Sequence, residues 1–95
     1  MPLEFEWDTA KAVENARKHR VTFAEAAAVF ADSRSITVHD SAHSDEEDRW
    51  IILGLSGQGR LVVVVFVERG DKIRIVSARR ATKRETNDYN EVQGK

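Results

Sequence analysis

The stretch RGDKIRIVSARRATKRE, Arg69–Glu85, carries seven of the fifteen Lys and Arg residues in a chain whose formal net charge is only −1. Arg79 and Arg80 stand directly before Thr82-Lys83-Arg84-Glu85, a capping box that opens a helix. Guanidinium groups beside the unpaired N–H groups of a helix N-terminus form a ready site for a phosphate. Arg69, Arg74, Lys83 and Arg84 are secondary cations for the same anion. Lys83 and Arg84 sit in the first turn, where they oppose the helix dipole. Residues set against local preference point to a function. The plain alternative is that Glu85 and nearby acids neutralise them.

Two residues offer proton chemistry. Glu68, at the end of an apolar run and next to Arg69, is a candidate general base, with an ion pair as its plain alternative. His43 lies in the acidic segment SAHSDEED, where neighbouring carboxylates favour the imidazolium and suit a general acid. An exposed loop histidine is the plain alternative. His19 and His39 are read as structural or exposed. No metal-ligand spacing is present, and the chain has no cysteine for a nucleophile, a thiolate zinc site or a disulfide. No cofactor is expected. GLSGQG is turn chemistry rather than a phosphate-binding loop, no Gly-x-Ser-x-Gly elbow occurs, and RGD reads as a tight turn.

The elements that must position these residues follow from hydrophobic periodicity. PLEFEW, Pro2–Trp7, alternates as a half-buried strand, and Asp8 caps the helix after it. Thr9, Ala12, Val13 and Ala16 give that helix a narrow apolar stripe. Thr22 and Glu25 form a capping box for a second helix, with Phe23, Ala26, Ala27 and Phe30 on one face. Strands are predicted over Ser35–Asp40, Arg49–Ser56, Arg60–Glu68 and Lys72–Arg80, with tight turns at GQG and RGD. Arg60–Glu68 is almost continuously apolar and should be central, covered on both faces. In the last strand, Ile73, Ile75, Ser77 and Arg79 share one face by alternation, and Arg79 and Arg80 point to opposite faces, or one to a face and one to the edge. The final helix has Tyr89 and Val92 as its only obvious apolar anchors. The expected fold is α+β, β-α-α-β-β-β-β-α, a mainly antiparallel sheet packed on two N-terminal helices.

The chain is read as a single domain, 1–95. A hydrophobic content of 41% excludes a disordered composition. No apolar run spans a membrane, and MPLEFEWD is too acidic for a signal peptide, so a cytoplasmic protein is expected. Charge is segregated. Residues 1–59 hold six Lys/Arg against eleven Asp/Glu, whereas residues 60–84 hold eight against two. A basic segment inside a nearly neutral chain suggests a local anion site.

Phe5–Asp32, with FEWD, KH and FAEAAAVF, together with His43–Glu85 and Tyr89, resembles the BrnT family of type II toxin–antitoxin toxins. The similarity covers nearly the whole chain, and ERGDKIRIVSARRATKRE is among its most specific pieces. It implies a RelE-like fold and a metal-independent ribonuclease that inhibits translation. It also implies a BrnA-type ribbon-helix-helix antitoxin as partner, with operator DNA bound only through that antitoxin. In that reading RNA is the substrate, Glu68, Arg79, Arg80 and His43 are the catalytic candidates, and the C-terminal helix with its neighbouring sheet surface is where the antitoxin docks. Glu68 or His43 is the base and His43 the leading acid. A toxin-like module that only binds its antitoxin, and a corepressor, are the competing readings. The family usually has Gly after KH, where this chain has Arg20. Glycine suits a left-handed helix end, so Arg20 should cost some stability.

Overall fold

The computed structural model describes residues 3–93. A five-stranded sheet has the order β1-β5-β4-β3-β2. Its strands are β1 (Glu4–Glu6), β2 (Ile36–His39), β3 (Arg49–Leu55), β4 (Leu61–Arg69) and β5 (Lys72–Arg80). The pairs β2–β3, β3–β4 and β4–β5 are antiparallel, while β1 runs parallel to β5 at the far edge. Three helices complete the fold: α1 (Thr9–His19), α2 (Phe23–Ala27) and α3 (Lys83–Gln93). A 3-10 turn at Ala28–Ala31 extends α2, and another at Ser41–His43 follows β2. Pro2, the expected start of the first strand, lies outside the described residues.

Local signals set the helix ends. The Asp8 carboxylate accepts from the Lys11 N–H at 2.9 Å, and the Thr22 hydroxyl accepts from the Glu25 N–H at 3.0 Å. Arg20 ends α1 with φ 59° and ψ 30°, the left-handed conformation that glycine adopts at least cost. Gly59 and Gly70 take positive φ in the two hairpin turns.

The core divides across β4. Val62, Val64 and Phe66 join Ile73, Ile75, Ala78, Ile52, Val21, Phe23, Ala26 and Val29 beneath α1 and α2. Val63 joins Leu53 and Tyr89 on the opposite face, where α3 packs. This is why the Arg60–Glu68 run has no polar face. Tyr89 is only 6% exposed, and its hydroxyl donates to Asp32 at 2.7 Å. Among the described residues Tyr89 is the buried apolar anchor of α3 on the sheet, because Val92 stays exposed.

Three expectations are corrected. Val13 is 66% exposed, and the buried face of α1 is instead Ala12, Asn15, Ala16 and His19, which share the same helical spacing. Leu3 is exposed at the sheet margin, where little packs over it. The alternation of β5 breaks at a bulge: Val65 pairs with Ser77 but Phe66 pairs with Ile75, leaving Val76 extra. Ala78 thereby takes the core position that strict alternation gives to Ser77, and Arg79 moves to the α3 face beside Val63.

Candidate active site

The two ends of the strands carry opposite charge. β4 and β5 bring Arg60, Arg79 and Arg80 to one end, and the first turn of α3 adds Lys83 and Arg84 there. Arg20 joins them, because its carbonyl accepts from Arg60 Nη2 at 2.9 Å. At the other end lie the β2–β3 loop, with Asp40, Asp45, Glu46, Glu47 and Asp48, and the β4–β5 turn, with Glu68 and Asp71. Arg49, Arg69 and Lys72 stand among these acids.

At the basic end two cations are held internally. Arg79 makes a two-pronged pair with Glu85, Nη1–Oε1 2.8 Å and Nη2–Oε2 2.9 Å. Glu85 also accepts from the Thr82 N–H at 2.8 Å and returns its own N–H to the Thr82 hydroxyl at 3.2 Å. The Arg79 guanidinium outweighs partial burial and holds the Glu85 carboxyl down at about 2. Arg60 is held by the nearly buried Glu25, at 3.0 Å from Nε and 2.6 Å from Nη2. Ser56 donates to the same carboxylate at 2.6 Å, and Arg60 above all keeps the Glu25 carboxyl below its ordinary range. Arg80 faces this network across the sheet from Arg79 and adds to the positive potential on Glu25. The side chains of Arg80, Lys83 and Arg84 are exposed and make no hydrogen bond or salt bridge among the described residues.

The remaining candidates lie elsewhere. Arg79 pairs with Val63, and Glu68 is five residues further along β4, about 17 Å at the rise of a strand. Glu68 is exposed on the helix-packed face, at the rim of an apolar cleft of about 280 Å3 lined by Phe30, Trp50, Phe66 and Ile73. His43 is an exposed residue whose Nδ1 lies 3.1 Å from Asp40 Oδ2. Arg69 pairs with Glu47 at 3.0 Å, and Arg74 with Glu6 at 3.0 Å. The structure thus gathers Arg79, Arg80, Lys83 and Arg84 at one end, and leaves Glu68, His43 and Arg69 at the other.

Sequence reasoning missed three features. Asn15 is buried and uses its amide as a strand would. It donates to Ala78 O at 2.8 Å and to Val21 O at 3.0 Å, and accepts from Ala78 N–H at 3.1 Å. This clasp closes the edge of β5 beyond Arg74, where β1 stops. The polar residue between Ala12 and Ala16 was its signal. The Glu25–Arg60 pair spans 35 residues and leaves no local pattern. The third is His19, which with Lys11, Glu14, Asn15 and Lys18 lines a shallow groove of about 220 Å3 between α1 and the Val76–Ser77 bulge.

No three His, Asp or Glu side chains among the described residues gather into a metal-holding group. None of the described helices is long and apolar enough to cross a membrane.

Comparison with known proteins places these observations. The crystal structure of the Brucella abortus ribonuclease toxin BrnT superposes with a TM-score of 0.68 at 21% sequence identity, over 86% of this chain and 100% of that one. That similarity establishes a shared fold, an α+β arrangement of a five-stranded sheet with three helices. No curated protein matches the chain. The family described as "Ribonuclease toxin, BrnT, of type II toxin-antitoxin system" matches residues 7–85, which include α1, the whole basic end and the capping box of α3. The chain belongs to the BrnT family of ribonuclease toxins of type II toxin–antitoxin systems.

Proposed function

We propose that this chain is a cytoplasmic, RelE-like endoribonuclease of one domain, residues 1–95, that cleaves RNA without a metal, inhibits translation and is neutralised by a BrnA-type antitoxin. In such cleavage the 2′-OH of one nucleotide attacks the adjacent phosphorus. The bond to the 5′-oxygen breaks, leaving a cyclic phosphate and a 5′-OH. One group takes the 2′ proton, another protonates the leaving oxygen, and cations stabilise the phosphorane between. The observation that carries this reading is the set of exposed cations at the basic end. Arg80, Lys83 and Arg84 are free to meet a phosphate beside the N-terminus of α3. Arg79 is assigned a supporting role, since its two-pronged pair with Glu85 already neutralises its charge. Glu68 and His43 lie too far along the strands to serve the same phosphate.

The test is induced expression in a bacterial host, with growth and RNA integrity followed over minutes. Wild type is compared with Arg80→Ala and with Lys83→Ala/Arg84→Ala, all shown to be folded. Arrest with RNA loss in the wild type, and relief in the variants, is the expected result. Intact RNA with a folded wild type would sink the ribonuclease reading. A second reading, a catalytically inactive module that binds antitoxin and acts as corepressor, is favoured by the Arg79–Glu85 pair, which already engages both Nη groups of that guanidinium with a carboxylate of the same chain.

A further inference from the structure

Transesterification of RNA is fastest with a proton-transfer group that titrates near neutrality. The carboxylates built into the basic end do not meet that need. Arg79 holds Glu85 down at about 2, and Arg60 holds Glu25 below its ordinary range. Of the three histidines, two lie at the acidic end and are engaged. His39 Nε2 lies 3.1 Å from Asp48 and its ring packs edge-on against Trp50, and His43 Nδ1 reaches Asp40. Carboxylates there repel a polyanion. His19 is different. Its imidazole makes no hydrogen bond, ion pair or ring contact among the described residues, and it lines the groove between α1 and the β5 bulge.

The groove leads from the basic end. His19 precedes Arg20, whose carbonyl is tied to Arg60, and Asn15 fixes α1 to β5 at Ala78. Its charged lining is Lys11, Glu14 and Lys18, all on α1, while β5 contributes Val76 and the Ser77 hydroxyl. Glu14 is already bound by Arg17. Lys11 and Lys18, seven residues apart, stand about 10 Å apart along the helix. That spacing suits phosphates of an extended single strand laid along the helix.

We propose that the α1–β5 groove is the track for single-stranded RNA, with Lys11 and Lys18 binding its phosphates and His19 taking the proton of the 2′-OH as that oxygen bonds to phosphorus, while water protonates the departing 5′-oxygen. This rests on the ribonuclease reading and names the substrate path within it. The groove delivers the chain to Arg80, so the phosphate held at the basic end and the imidazole serve one strand.

The experiment uses a labelled mixed-sequence single-stranded RNA, and the all-deoxy version of the same sequence as a ligand that lacks the attacking 2′-OH. His19→Ala should lower the single-turnover rate about 100-fold or more while binding the deoxy strand within about twofold of wild type. Added imidazole should restore part of its lost rate. Lys11→Gln/Lys18→Gln should weaken binding and reduce the slope of log affinity against log salt by about 1.4, as expected for two phosphates of a single strand. If His19→Ala cleaves within threefold of a cleaving wild type, or if imidazole restores nothing, the inference fails and the ribonuclease reading stands. A folded wild type that cuts no RNA overturns both. His19→Gln, which keeps a polar side chain of similar reach, guards against a folding defect and should be equally slow.

Discussion

The basic and acidic ends of the sheet are built from the same two hairpins, yet they treat charge in opposite ways. At the basic end the fold itself commits two of its cations. Glu25 holds Arg60 from a nearly buried position, and Glu85 holds Arg79 while capping α3. Arg80, Lys83 and Arg84 are then left over on a framework that is already fixed. At the acidic end the pairs are exposed: Arg69 with Glu47, His43 with Asp40, His39 with Asp48. Exposed pairs contribute little to stability. The difference teaches that the cation-rich end is the one whose internal pairs are less exposed, and fixed partners are what a site that must orient a phosphate requires.

The largest effect that tests this contrast is removal of Glu25. Glu25→Ala strips Arg60 and Ser56 of their partner in a nearly buried network. Breaking such a pair from one side should cost about 3 kcal/mol. The expected result in urea is a lower midpoint with an unchanged slope. Glu47→Ala, the matching change at the acidic end, should move the midpoint by less than about 0.5 kcal/mol. Equal costs at the two ends would erase the comparison.

Charge reversal sharpens it on the functional side. Arg80→Glu combined with Lys83→Glu should weaken binding of a single-stranded RNA about 100-fold at low salt, with a shallower salt dependence. Reversing Asp45 and Glu46 to Lys should leave binding within a few-fold of wild type or raise it slightly. A binding assay in which the acidic-end variant gains as much as the basic-end variant loses would mean that net charge, rather than place, governs RNA contact.

Most of the scaffold could be read from the residues. The Thr22 and Thr82 caps, the central apolar strand and the turns at GQG and RGD are local signals, and local signals survive in a sequence; only Thr82–Glu85 closes the reciprocal box, because the Glu25 carboxylate goes to Arg60 and Ser56. The left-handed end at Arg20 was expected from the family resemblance, which puts glycine there, because an arginine carries no local signal for it. What escaped was the bulge at Val76, because a single extra residue leaves the composition of KIRIVSARR unchanged while it exchanges the faces of Ser77 and Ala78. The buried pairs escaped as well, since Glu25–Arg60 and Asn15–Ala78 join residues far apart in the chain. The candidate site was half legible. The run of cations from Arg79 to Arg84 is one place in space, but Glu68 and His43 could be kept from it only by knowing the strand register.

The pair inside the basic end makes a pH-dependent version of the comparison. Glu85 has its carboxyl lowered to about 2 from 4.5, chiefly by Arg79. A depressed carboxyl stabilises the fold fully above its unfolded value, and that contribution is lost as pH falls through the folded value. Between about pH 4.5 and pH 2 the wild type should therefore lose stability that Glu85→Gln never had. Because the pair is partly exposed, the difference at pH 7 should be about 1 kcal/mol, and it should close by about pH 2. Thermal unfolding across that range measures it, with Asp40→Asn as the partner variant at the acidic end.

Arg20→Gly gives the smallest expected change and the most local one. The left-handed φ at Arg20 costs a side-chain-bearing residue about 1 kcal/mol relative to glycine, so the substitution should stabilise by about that amount. The carbonyl that receives Arg60 Nη2 belongs to the backbone and survives the change. What is lost is one cation at the mouth of the α1–β5 groove. If the basic end binds RNA through its exposed side chains, the variant should melt higher and bind RNA more weakly, by about a few-fold. A variant that melts higher and binds equally well would leave Arg20 outside the RNA contact and move the boundary of the basic end to Arg60 and Arg80.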